Sequence, residues 1–156
     1  MAEGEFALVQ KYLEIALDRT ASWVGEHDLY AMLADAAAGQ RDESALQRYA
    51  PLAGEFASRY DHKLYQAIAH RARGVAHLLA GEYSEAESRL NQALKLFSNL
   101  NTHYQIGRTL FELGEVAAAQ IDTDNARHYF TRALEEFEAM GALPDIARTR
   151  NKMAML

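Results

Sequence analysis

The 156-residue chain contains no cysteine. That excludes disulfides and thiolate metal sites, and it fits a reducing compartment without requiring one. Proline is almost as scarce, with only Pro51 and Pro144. No run approaches the roughly eighteen uninterrupted apolar residues of a membrane span, so none is expected. The opening MAEGEFALVQ is acidic and lacks the basic-then-apolar order of a secretory signal. The expectation is a cytoplasmic protein, the alternative being an exported one whose leader has been removed. Positive charge is thin too: sixteen Lys and Arg stand against twenty-two Asp and Glu, a formal net charge of −6, and the cations are scattered. A nucleic-acid surface needs a concentrated basic face, so no nucleic-acid partner is expected.

Signatures of catalysis are missing as well. The six His are residues 27, 62, 70, 77, 103 and 128. His70 and His77 share a helix face but stand about 10 Å apart in rise, too far to hold one metal without a third element. No HExxH occurs, and no Asp or Glu stands with two His at ligand spacing. The acid groups around His27, in EHD (26–28), read as a cluster at a helix start rather than a catalytic dyad. Glu135, Glu136 and Glu138 read as a solvated helix face. Ser and Thr lack a GxSxG-type setting, and the glycines stand singly, so neither a nucleophile elbow nor a phosphate-cradling loop is written. The expectation is no enzyme, no cofactor and no metal. A His-centred metal site is the enzymatic alternative.

What is present is helix. Hydrophobic residues make up 49% of the chain and charged ones 24%, ordinary for one globular domain with a real core. Apolar residues recur at three- and four-residue steps, while strand-like Val, Ile and Thr runs and Asn-Gly or Asp-Gly turns are absent. Helices are predicted near 5–20, 27–39, 43–59, 63–80, 84–99, 103–119, 123–140 and 144–155. Ser84, Thr102 and Thr123 are the predicted N-caps, and Gly39, Gly81 and Gly141 the predicted stops. Pro144 falls early in the last helix, where its missing N–H costs little. The short connections make successive helices antiparallel neighbours.

The pattern repeats. EYSEAESRLNQALKLF (82–97) and DTDNARHYFTRALEEF (122–137) match at Ala86/Ala126, Leu90/Phe130, Ala93/Ala133, Leu94/Leu134 and Phe97/Phe137. The match runs without a gap from Gly74/Gly114 through Ile106/Ile146, Arg108/Arg148, Thr109/Thr149 and Leu113/Met153. A weaker copy, GQRDESALQRYAPLAGEF (39–56), lies about forty-one residues upstream of the first. Each unit is a helix pair that cannot bury its apolar face alone, and stacking supplies the cover. The alanines and Gly74 and Gly114 mark close approach; Leu90, Phe130, Phe97 and Phe137 are expected to fill the space between pairs.

RGVAHLLAGEYSEAESRLNQAL (73–94) places Gly74, Gly81, Tyr83, Ala86, Leu90 and Ala93 in the order of a tetratricopeptide-repeat unit, and the chain resembles that family. The next unit keeps Gly114, Ala126, Phe130 and Ala133 but has Ile121 and Thr123 at the turn. The period is forty rather than the commoner thirty-four, and no Pro closes the units. Forty-residue units of this kind are similar to those in large bacterial signalling proteins and transcription regulators. The resemblance covers about residues 28–156. It implies a right-handed α-solenoid within a single domain: an N-terminal covering helix (1–25), repeat pairs 27–60, 63–100 and 103–141, and a terminal helix 144–156.

It further implies a non-catalytic module that binds a protein or peptide partner in a concave groove. The inward positions carried over are Ile68, Arg71, Val75 and Leu78, then Phe111, Glu115 and Ala118 with Thr109 and Glu112 nearby, then Thr149 and Asn151. Of the groove positions that clamp a partner's terminal carboxylate in this family, only Arg71 is basic; Val75, Thr109 and Glu112 occupy the others. Such clamping is therefore not expected, and an amphipathic helix or largely apolar peptide suits the groove better.

The C-terminal NKMAML is apolar at Met153, Met155 and Leu156. The preferred expectation is a segment of a longer repeat array; the alternative is a homodimer formed through this helix. The N-terminal helix is expected to cover the first pair with Phe6, Val9, Leu13 and Leu17, and Trp23 to pack beneath it.

Overall fold

The computed structural model describes residues 3–19 and 25–156. The regular elements among them are all helices: α1 (Glu3–Arg19), α2 (Glu26–Gln40), α3 (Glu43–Arg59), α4 (Lys63–Leu79), α5 (Tyr83–Asn99), α6 (His103–Ala119), α7 (Thr123–Met140) and α8 (Leu143–Met153). Their ends fall within two residues of those expected. Each helix packs on the next, and α4 packs on α2 as well, giving an α-solenoid of antiparallel pairs.

The connections share one geometry at intervals of twenty residues. Arg41, Asp61, Gly81, Asn101, Ile121 and Gly141 all take positive φ, between 51° and 76°. At each turn the next residue's N–H bonds back to a carbonyl five positions earlier, as Asp42 to Ala37, Thr102 to Phe97 and Ala142 to Phe137. This is the Schellman closure, and the residue that completes it also starts the following helix. Gly39 therefore lies inside α2, and Arg41 takes the left-handed position instead. The caps shift for the same reason. Asp122 rather than Thr123 caps α7, accepting from the Asn125 N–H, and Glu82 rather than Ser84 holds that position on α5. Thr102 is at the expected position, but its hydroxyl donates back to the Phe97 carbonyl at 3.1 Å, closing the preceding helix. Ile121, β-branched at φ 64°, carries a strain of about 1–2 kcal/mol.

Within the pairs α4–α5 and α6–α7 a glycine receives the large residue of its partner helix. A Cβ on Gly74 would stand 2.6 Å from Leu90 Cγ; on Gly114 it would stand 2.6 Å from Phe130 Cε1, and on Gly107 2.9 Å from Phe137 Cε1. Leu90, Phe130 and Phe137 thus fill space inside their own pairs, where packing between pairs was expected, while Phe97 shares a core with Ile106 and Leu110 of the next pair. Leu90 does both, since it shares a cluster with Leu113 and Val116 of α6. Ala86, Ala93, Ala126 and Ala133 are fully buried, as close helix contact requires.

Helix α1 lies on α2, with Gln40 donating to Gln10 at 2.6 Å and the Tyr49 hydroxyl to Glu14 at 2.8 Å. Leu13 joins the core of α2, α3 and α4, whereas Val9 is exposed. Trp23 and the side chains of Phe6 and Leu17 lie outside the described residues.

Candidate functional site

Stacking brings α2, α4, α6 and α8 onto one side of the solenoid, and their polar residues meet there. Asp35 of α2 accepts from Arg71 Nη2 of α4 at 2.6 Å and from Arg108 Nη1 of α6 at 2.8 Å. Arg71 also donates to the Gln105 carbonyl at 3.3 Å, and its guanidinium lies 5.0 Å from the Phe97 ring centre. A second group adjoins the first. Arg41, in the turn after α2, pairs with Glu112 at 2.6 Å and Glu115 at 3.6 Å, and Lys152 of α8 reaches Glu115 at 3.0 Å. These contacts tie the first pair to the third across this side of the solenoid.

Burial makes the electrostatics strong. Desolvation alone would raise the Asp35 carboxyl, but Arg108 and Arg71 overcome it and hold the group well below the usual carboxylate range. Arg71 shows the converse: burial and the neighbouring Arg108 bring it down to about 10 despite Asp35. Arg108 and Arg41 are raised, because their carboxylate partners outweigh the burial that would lower them.

Above this network a cleft of about 520 Å³, in part open solvent, lies between α6 and α8 with Gly39 of α2 at its edge. Tyr104, Arg108, Phe111 and Glu112 of α6 form one wall, and Asp145, Arg148 and Thr149 of α8 the other. The exposed Arg148 lays its guanidinium 4.0 Å from the Phe111 ring centre, and the Tyr104 hydroxyl donates to Asp145 at 3.2 Å. Desolvation, with the Asp145 carboxylate, raises the Tyr104 phenol and keeps it a donor.

The residues expected in the groove divide accordingly. Phe111, Glu112 and Thr149 line the cleft, and Glu115 borders it through Arg41 and Lys152. Arg71 lies beneath, only 1% exposed, and Ile68 is buried in the same core as Phe111. Val75 is buried among α2, α3 and α4, and Leu78 packs with Ala86 and Leu90, so neither reaches the cleft. Asn151 is exposed. Thr109 is buried and donates to the Gln105 carbonyl at 2.7 Å.

Asp35, Arg41, Tyr104, Arg108, Asp145 and Arg148 were not expected there. The matched pair Arg108/Arg148, a basic residue kept at one register among apolar matches, was the available signal. Among the described residues no three His, Asp or Glu side chains come together to hold a metal, and no helix is long and apolar enough to cross a membrane.

Residues 65–139, spanning most of α4 to α7, match the family model described as tetratricopeptide repeat. No curated protein matches the chain.

Proposed function

Residues 65–139 belong to the tetratricopeptide-repeat family, and from that premise we propose a non-catalytic module that takes a peptide or short helix in the cleft between α6 and α8. Repeats of this family generally mediate protein–protein interactions. The observation that carries the reading is Arg148 stacked on Phe111, with Tyr104 bonded to Asp145 in the same cleft. An exposed cation over a buried ring, with a phenol and a carboxylate within reach, offers a segment polar partners for its backbone. The similarity of the forty-residue unit to modules of bacterial signalling proteins and transcription regulators supports a regulatory role. A chain without cysteine suits the cytoplasm.

Short peptides selected from a random library against the whole chain provide the test. Arg148→Ala and Tyr104→Ala are each expected to weaken the selected peptides by about tenfold, the cost of losing one anchoring side chain of an interface. Arg132→Ala, an exposed position on α7, is expected to leave affinity unchanged. Peptides indifferent to both cleft substitutions would reject the cleft as the seat.

A second reading, self-association through α8, draws on Leu143 at 72% and Met155 at 80% exposure, with Met140 also exposed beside them. It requires a sedimentation coefficient that rises with protein concentration; a concentration-independent monomer disposes of it.

A further inference from the structure

A second feature lies apart from the cleft and shares none of its residues. Between α3 and α4 is a depression of about 410 Å³, in part open solvent, whose lining includes Gly54, Ser58, Gln66, His70 and Arg73. Gln66, His70 and Arg73 follow at four- and three-residue steps, so they stand on one face of α4. Arg89 of α5 is close enough that its charge acts on both His70 and Arg73.

Three observations on this cluster point the same way. First, among the described residues neither Arg73 nor Arg89 makes an ion pair, although carboxylates outnumber cations in the chain. Second, His70 Nδ1 is buried and has no hydrogen-bond partner, which is unusual for a ring nitrogen away from water. Third, the Arg73 guanidinium rests on bare backbone: a Cβ on Gly54 would stand 2.7 Å from Nη2, so the glycine leaves the room that this position occupies. Burial first, and the neighbouring cations after it, depress both His70 and Arg73.

We propose that this depression is an oxyanion site, built for a phosphate group held by Arg73, with His70 and the Ser58 hydroxyl at its margin and the charge of Arg89 on α5 adding attraction. A guanidinium fork, an imidazole nitrogen and a hydroxyl around one depression present donors in more directions than the two coplanar oxygens of a carboxylate can use. They match a tetrahedral dianion with three or four free oxygens. Gln66 contributes less, since its amide already donates to the Ala57 carbonyl at 3.2 Å. The phosphate could be the free ion or a phosphorylated side chain of a partner, and the shared chemistry is the phosphate monoanion or dianion.

The test uses the full chain at fixed pH and ionic strength. Inorganic phosphate is titrated against sodium chloride, following the His70 ring resonances and the melting temperature. The site predicts saturable shifts of the His70 resonances and a melting temperature that rises with phosphate but not with matched chloride. Arg73→Gln is expected to weaken phosphate binding at least about tenfold and Arg89→Gln by a smaller factor, while leaving the phosphate-free melting temperature equal or higher, because each removes a repelling charge. Arg127→Gln, exposed on α7, is the unaffected control. A parallel titration with a phosphoserine-bearing peptide of otherwise small neutral residues separates the sources. Tighter binding than inorganic phosphate assigns the site to a modified side chain, and weaker binding assigns it to the free ion. Phosphate acting no more strongly than chloride, or acting undiminished on both arginine variants, would overturn the proposal.

Discussion

Replacing Asp35 by Asn is expected to destabilise the fold by about 3 kcal/mol, a large share of the margin of a domain this size. The carboxylate is shared by two guanidiniums from different helices, Arg71 at 2.6 Å and Arg108 at 2.8 Å. Arg71 is almost wholly buried and cannot turn to water when the charge goes, and Arg108 has only its edge on the cleft through which to do so. The substitution keeps the shape and leaves two buried cations facing a neutral amide. The loss is that of unpaired buried charge, which exceeds anything an exposed pair such as Arg59–Glu55 would show. Acid should reproduce part of it in the native chain. Asp35 is lowered in the fold, so its contribution is complete above the ordinary carboxylate value of 3.8 and is lost as pH falls below that. Urea unfolding of both chains from neutral pH downward checks both statements. The difference between them should be widest near neutrality and narrow in acid. A difference under about 1 kcal/mol at pH 7 would mean that the network does not hold the pairs together.

Phe130→Ala is expected to cost about 3–5 kcal/mol. The ring is fully buried, lies against Gly114 at the closest approach of α6 and α7, and stands 5.4 Å centre to centre from Phe111. Its removal opens a cavity that two helices braced on one another cannot close. Phe130→Leu should cost far less, because the preceding pair already works with Leu90 seated on Gly74 in the same register. The same urea measurement decides it, and equal costs for the Ala and Leu variants would contradict the packing described.

Helix positions and the forty-residue period were legible because they rest on spacing, which apolar residues report directly. The twenty-residue turn register was half hidden. Gly81 and Gly141 announce it, but Arg41, Asp61, Asn101 and Ile121 hold the same left-handed geometry because the Schellman hydrogen bonds impose it whatever the residue. The side formed by α2, α4, α6 and α8 was the least legible. One register position reads Ala31, Arg71, Phe111 and Asn151 in successive units, and another Asp35, Val75 and Glu115. A repeat fixes which way such a residue points but not what faces it. Asp35 and Arg108 are seventy-three residues apart, and only the closeness of α2 to α6 across α4 makes them partners. A lone acid in the alanine-rich MLADAAAG carries no mark of that.

The cleft is tested most directly by the footprint of a selected peptide on the amide resonances of the whole chain. The account predicts shifts concentrated at Tyr104, Arg108, Phe111 and Arg148, with the outer faces of α5 and α7 unmoved. Shifts concentrated on α5 and α7, with those four residues silent, would contradict it.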